Sequence, residues 1–158
     1  MKKINNIFLK KKILIYGLGK SGISTYNFLR QKAEVYLFDD NFLNNFRFNK
    51  KSLRYSKILK SDFDFIIISP GIDFSKCRLS KYLKQNYSKI HTDLDVFYSF
   101  FNNDSVTITG TNGKSTTAKL LNDVLRDQKK DVRLVGNIGN PVLSEKKITK
   151  KTFFVIEA

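Results

Sequence analysis

Gly110-Thr111-Asn112-Gly113-Lys114-Ser115-Thr116 lies between an apolar run, Val106-Thr107-Ile108-Thr109, and a helix-like run from Thr117 to Asp127. A glycine-rich turn between a strand and a helix, closed by Lys-Ser, is a triphosphate cradle. Its backbone amides form an anion nest, its lysine meets the terminal phosphates and its hydroxyl reaches Mg²⁺. The spacing is not the usual GxxxxGK[ST]: Ile108 stands where that pattern has its first glycine, and the loop reads GxxGKS. The same chemistry still makes Gly110 to Thr116 the ATP-binding candidates, Lys114 the catalytic candidate and Ser115 a candidate Mg²⁺ ligand. The alternative, a glycine turn with an exposed lysine, is the weaker reading because the flanking strand and helix both fit.

Three other loops follow apolar runs. Gly17-Leu18-Gly19-Lys20-Ser21-Gly22 matches GxGxxG after Ile13-Leu14-Ile15-Tyr16, and Asp39 lies 22 residues beyond Gly17 at the end of the next run. That is the context of a dinucleotide fingerprint, with unpaired N–H groups at a helix start offered to phosphate. Taken alone it favours NAD; the pattern itself says only nucleotide diphosphate. Ser69-Pro70-Gly71 ends Phe65-Ile66-Ile67-Ile68, because proline lacks an N–H and restricts its predecessor. It is either a plain strand-terminating turn or a substrate contact. Gly136-Asn137-Ile138-Gly139 and Glu157 both follow strands of the later half. A carboxylate at a strand end near a phosphate loop can hold Mg²⁺, and otherwise is a solvated strand-end acid. His91 and Cys77 are single and read as structural.

Apolar runs alternate with amphipathic stretches, which predicts parallel sheets with functional loops at the strands' carboxyl ends. Helices are expected from the spacing of Ile23, Tyr26 and Leu29, over Leu79 to Tyr87, and over Ser115 to Asp127 with Ala118, Leu121 and Leu125 on one face. Asp93 to Phe101 reads as a helix or connector. Strands are expected at Glu34–Phe38, at Lys89–His91, at Asp131–Val135 and, shortly, around Tyr55 within the irregular stretch from Asn41 to Lys60. Asn102-Asn103-Asp104 marks the domain boundary. Ser105–Thr109 and Thr152–Ile156 are expected to leave an unfinished sheet edge.

The 158 residues hold 41% hydrophobic residues, one cysteine and no run near the roughly 20 apolar residues of a membrane span. The first residues, Met1 to Asn6, show no signal peptide. The expectation is a cytoplasmic protein without disulfides. The net charge of +15 and pI near 9.9 invite a nucleic-acid reading. The lysines are scattered, however, and Lys, Asn, Ile and Phe are abundant together, as an A/T-rich coding sequence produces. No nucleic-acid-binding motif accompanies them.

GLGKSG, SPG, GTNGKST, GNIG and an acid after an apolar strand, in that order, resemble the Mur ligases across essentially the whole chain. GTNGKST alone marks the wider superfamily, which includes folylpolyglutamate synthases; GLGKSG and Ser69-Pro70-Gly71-Ile72 favour the member that adds D-glutamate. The resemblance implies an α/β protein: a Rossmann-like parallel-sheet N-terminal domain (1–101) that binds a UDP-substrate, then the start of a P-loop-type α/β ATPase domain (102–158). It implies ATP- and Mg²⁺-dependent joining of D-glutamate to UDP-N-acetylmuramoyl-L-alanine through an acyl phosphate, in peptidoglycan precursor synthesis, by a monomer that needs neither nucleic acid nor membrane. Lys20, Ser21, Asp39, Asp40, Asn41, Ser69, Gly71 and Asn137 would contact the substrate, and Ser115 and Glu157 would serve Mg²⁺. The first loop then holds a UDP-sugar rather than NAD. The chain departs from the pattern at Asp40-Asn41, where some members have Thr-Arg. The family also continues beyond this acid, so the chain is expected to be an N-terminal portion, inactive alone and without the D-glutamate site. The alternatives are an NAD-dependent oxidoreductase, which leaves GTNGKST unexplained, and a non-catalytic nucleotide-binding module.

Overall fold

The computed structural model describes residues 6–41 and 51–158. Part of the irregular Asn41–Lys60 stretch, and the first five residues, lie outside the described residues. The chain divides into two compact units, Met1–Phe100 and Phe101–Ala158.

In the first unit the strands are β1 (Lys12–Tyr16), β2 (Glu34–Phe38), β3 (Phe65–Ile68) and β4 (Ile90–His91), and the helices are α1 (Lys20–Leu29), α2 (Tyr55–Ile58), α3 (Ser80–Gln85) and α4 (Asp93–Phe100). The strands form one parallel sheet in the order β2-β1-β3-β4. Both sheet faces are covered, so β1 reads as a continuous apolar run rather than an alternating one. Leu14, Tyr16 and Ile66 meet Ile58, Phe63, Tyr82 and Leu83 on one side. Strand alternation sends Ile13, Ile15 and Ile67, also buried, to the other. α1 packs against β1 and α4. Its buried residues are Gly22, Ser24, Thr25 and Leu29, while Ile23 and Tyr26 are half-buried. Its inward stripe therefore joins small residues to Leu29, the one member of the spacing visible in the sequence that is fully buried.

In the second unit β5 (Ser105–Ile108), β6 (Val132–Gly136) and β7 (Phe153–Glu157) form a parallel sheet, with α5 (Lys114–Asp127) following β5. Ala118, Leu121 and Leu125 of α5 join Val106, Val132, Leu134, Phe153 and Val155 in one apolar cluster. Val135, Phe154 and Ile156 are buried as well, as are Val142 and Leu143 of a short 3₁₀ turn.

Two expectations are corrected. The residues around Tyr55 form a short helix, in which Ile58 is buried and Tyr55 packs against the core at its edge, three positions apart, while Lys57 and Ser56 face solvent. Ser52 forms an isolated parallel bridge with Leu37. Thr152–Ile156 is not an edge: the order is β5-β7-β6, so β7 is paired on both sides, and among the described strands β5 and β6 are the edges of this sheet.

His91 packs edge-on against Phe8 and Phe65, with ring centroids 5.4 and 5.0 Å apart. The Cys77 thiol lies 3.7 Å from the Phe74 carbonyl oxygen, to which it donates. No helix among the described residues is long and apolar enough to cross a membrane. Phe8, in the turn before β1, is fully buried and stacks on Phe65 at 4.8 Å. Phe8→Ala is expected to lower the unfolding free energy by about 3–5 kcal/mol. Ile7→Ala, at a half-exposed neighbour, is expected to cost under about 1 kcal/mol. Chemical denaturation followed by circular dichroism reads both.

Candidate functional site

The first unit gathers its polar loops at one sheet edge because β1, β2 and β3 end in register, Tyr16 opposite Phe38 and Ile68. Each strand therefore releases its loop at the same level. The Gly17 N–H donates to the Phe38 carbonyl at 2.9 Å, and the Ser69 N–H to the Tyr16 carbonyl at 2.9 Å. The Ser69 hydroxyl donates to the Gly17 carbonyl at 2.7 Å. α1 then crosses so closely that a Cβ on Gly22 would lie inside the Gly17 carbonyl oxygen. Gly19, the N-cap of α1, has an ordinary φ of −68° and open space where a Cβ would be. The glycines of this loop thus differ: close packing at Gly22, and open space at Gly19.

Asp39 does not stand free at the end of β2. One of its carboxylate oxygens accepts the Leu18 N–H at 2.6 Å and the other the Asn41 N–H at 2.9 Å. Asp40 accepts the Tyr16 hydroxyl at 2.6 Å and the Arg78 N–H at 3.3 Å on Oδ2. Its Oδ1 is buried without a partner. Burial, and then the bond to Asp40, push the Tyr16 phenol above its ordinary range. The Ser21 hydroxyl donates to Asp93 at the start of α4. Lys20 opens α1, and Gly71 is exposed with open space about its Cα. A carboxylate has about four acceptor positions and a hydroxyl two, so these groups retain capacity toward a ligand while holding the loops.

The second unit repeats the arrangement with different chemistry. Glu157 lies in register between Ile108, where the phosphate loop begins, and Gly136, where the GNIG loop begins. Gly113 takes a left-handed conformation (φ 77°) as the N-cap of α5. The first turn of this 14-residue helix has no side-chain cap hydrogen bond from its N-cap, and the free N–H groups of a helix start are what receive anions. Lys114 Nζ donates to the Gly110 carbonyl at 2.6 Å, so the ammonium is folded against its own loop. The Ser115 hydroxyl donates to Glu157 Oε1 at 3.1 Å. Glu157 is only 5% exposed, and its Oε2 is buried with no hydrogen-bond partner. Asn137 is exposed, and its N–H donates to the Glu157 carbonyl at 2.9 Å.

One buried carboxylate oxygen without a partner, beside a hydroxyl and a phosphate-type loop, suits a hard divalent cation. Mg²⁺ takes one or two protein oxygens and completes its shell with water and phosphate. Among the described residues no group of three or more His, Cys, Asp and Glu side chains could enclose a metal. Ser115 and Glu157 therefore fit a Mg²⁺ shared with a nucleotide. The resemblance named both residues together; the residues read alone left Glu157 open between a metal ligand and a solvated strand-end acid. Sequence reasoning did not anticipate Asp93 as the partner of Ser21, or Tyr16 and Arg78 as partners of Asp40. Those links join residues 72, 24 and 38 positions apart, and no local pattern signals them.

Residues 108–158 match the Mur ligase middle domain family. The chain is 36% identical over 157 residues to the UDP-N-acetylmuramoylalanine--D-glutamate ligase of Rickettsia bellii, covering 96% of this chain and 34% of that protein. Proteins of the same name from Lachnoclostridium phytofermentans and Clostridioides difficile are 36% and 34% identical over 85% and 84% of this chain, and 32% of each of theirs. The chain thus spans about a third of the length of the curated relatives it matches.

The packing at the first loop carries its own test. Gly22→Ala is expected to destabilise the chain by about 2–4 kcal/mol, since backbone must move to admit the methyl group. Gly19→Ala is expected to cost under about 1 kcal/mol. Parallel urea melts would show the difference; similar midpoints for the two variants would contradict the close approach.

Proposed function

We propose, for this chain of the Mur ligase family, that its two units supply the UDP-substrate and ATP sites of a ligase joining D-glutamate to UDP-N-acetylmuramoyl-L-alanine. Residues 1–101 would bind the UDP-substrate and residues 102–158 would carry the ATP loop. The observation that carries this reading is the Ser115–Glu157 pair beneath the Gly110–Thr116 loop, with Glu157 Oε2 buried and unpartnered.

In this reading a substrate carboxylate oxygen attacks the γ-phosphorus of ATP, the bond to the bridging oxygen breaks, and ADP and an acyl phosphate result. The D-glutamate amine then attacks the acyl carbon, loses a proton and expels phosphate. The chain's residues address the first step. Two anions must approach, so the loop's N–H groups and Lys114 gather the phosphates and stabilise the spreading charge. For this Lys114 exchanges its bond to the Gly110 carbonyl for phosphate oxygen, and a charged donor gains more from an anionic acceptor than from a neutral one. Mg²⁺ at Ser115 and Glu157 would neutralise phosphate charge. In the first unit, the start of α1 would face the diphosphate, with Lys20 and Ser21 in its first turn and Asp39 to Asn41, Ser69 and Gly71 around it. Asn137 would be a further substrate contact. The similarity of nearly the whole chain to proteins named for this reaction supports the choice of substrate.

Titration calorimetry on residues 1–158 tests the reading. ATP with Mg²⁺ is expected to bind, and Lys114→Ala to weaken it by roughly 10- to 100-fold, the scale of a lost charged hydrogen bond. Glu157→Gln is expected to remove most of the gain that Mg²⁺ gives while leaving metal-free ATP binding in place. UDP-N-acetylmuramoyl-L-alanine is expected to bind and NAD not to; tight NAD binding would overturn the reading in favour of a dehydrogenase-type site.

A further inference from the structure

At the carboxyl end of β2, beyond the phosphate-type loop, lies an open cavity of about 750 Å³. Asp39 and Asp40 line it, together with Leu53, Arg54, Tyr55 and Arg78. The Arg78 guanidinium carbon sits 5.1 Å from the centre of the Tyr55 ring, so a planar cation rests on an aromatic side chain. The Arg78 N–H is tied to Asp40 Oδ2, and Asp40 in turn holds the buried Tyr16 hydroxyl. A chain of bonds from the core strand β1 therefore fixes the backbone from which Arg78 extends.

We propose that Arg78, laid on Tyr55, is the nucleobase-contacting cation of this chain and sets its preference for the base of the nucleotide substrate. This rests on the UDP-substrate reading above. Topology gives the direction. The Gly17–Gly22 loop follows β1, and β2 is the neighbouring edge strand. A nucleotide whose diphosphate sits at the start of α1 and runs outward over the strand ends brings its ribose past Asp39 and its base to the cavity beyond β2. The segment at the end of β2, Asp39-Asp40-Asn41, carries no cation of its own. Arg78 supplies one from the stretch after β3. Its N–H fork suits the carbonyl oxygens of a pyrimidine, and its planar face and that of Tyr55 suit stacking. Asp39 and Asp40 offer acceptors to ribose hydroxyls or a ring N–H. Lysine at this position would keep the charge but lose the planar stack.

The test compares UDP with inorganic pyrophosphate, which lacks the base, on residues 1–158 and on Arg78→Ala and Tyr55→Ala, with thermal melts to establish that each variant is folded. UDP is expected to bind the parent chain more tightly than pyrophosphate. Each variant is expected to lose roughly tenfold or more in UDP affinity, the scale of one lost base contact, with pyrophosphate affinity unchanged. Undiminished UDP binding by Arg78→Ala overturns the inference. An equal loss for both ligands also overturns it, because Arg78 then serves the phosphates or the fold. Failure of the parent chain to bind UDP at all overturns the UDP-substrate reading itself, and the inference with it.

Discussion

Both candidate sites depend on one constraint, the register of parallel strands. In a parallel sheet every strand delivers its carboxyl end to the same edge. Tyr16, Phe38 and Ile68 end side by side in one unit, and Ile108, Glu157 and Gly136 in the other. A glycine loop released by one strand then finds the side chains released by its neighbours within hydrogen-bond reach. Glu157 shows this most directly. It is paired on both sides, so its backbone is fixed by two ladders, and its carboxylate is held beneath Ser115 with little freedom to turn into water. A buried carboxylate oxygen without a partner is costly, and a fold with an alternative would point it outward. The central place of β7 removes that alternative.

Much of this was legible locally. β1, β2 and β3 are apolar runs that stop at glycine, aspartate or Ser-Pro, and those stops are the loops that carry the polar groups. Ser115 and Glu157 were brought together only by the resemblance, since a strand-end acid read alone is as readily a solvated one, and the register of β5 and β7 is what sets them within hydrogen-bond reach. What the sequence could not express was order and reach. Nothing local says that β7, the latest strand in the chain, inserts between β5 and β6. Nothing near Tyr55 says that Tyr-Ser-Lys-Ile coils, since a four-residue helix held by one buried isoleucine has no period to read. α1 was recognisable as a helix, but of its inward face only Leu29 was, because close packing selected Gly22 and Thr25 over the more conspicuous Ile23 and Tyr26.

The charge of the chain also reads differently once local geometry is known. A surplus of fifteen positive charges says little about any one site, since solvated lysines are screened within about 10 Å at ordinary salt. Several cations are held by a second contact, Lys32 on the Phe28 ring and Arg133 beside Glu145 among them, and two of these lie at the proposed sites: Lys114 on the Gly110 carbonyl and Arg78 on the Tyr55 ring. Each is restrained before a ligand arrives, so less side-chain entropy is lost on binding than for a free surface lysine. Composition thus gives a weak general attraction to anions, and the proposed sites would give it direction through these two restrained side chains.

The two units use their polar residues in opposite ways. In the first, Asp39, Asp40, Ser21 and Ser69 each already bond within the protein, to Leu18, Tyr16, Asp93 and Gly17. A ligand there meets groups with spare lone pairs but fixed orientation, and replacing any of them loosens the loop as well as the contact. In the second, Ser115 and Glu157 bond chiefly to each other, and the oxygen left over, Glu157 Oε2, has its counterpart in Asp40 Oδ1 of the first. Substitutions at the second site can therefore be read as chemistry more directly than those at the first, where binding and loop stability are the same set of bonds. A side chain such as Arg78, exposed and joined to the loop network only through its backbone N–H, escapes that coupling. Its side chain can vary while the anchor at Asp40 persists, which makes its position a place where base preference can change without rebuilding the sheet edge.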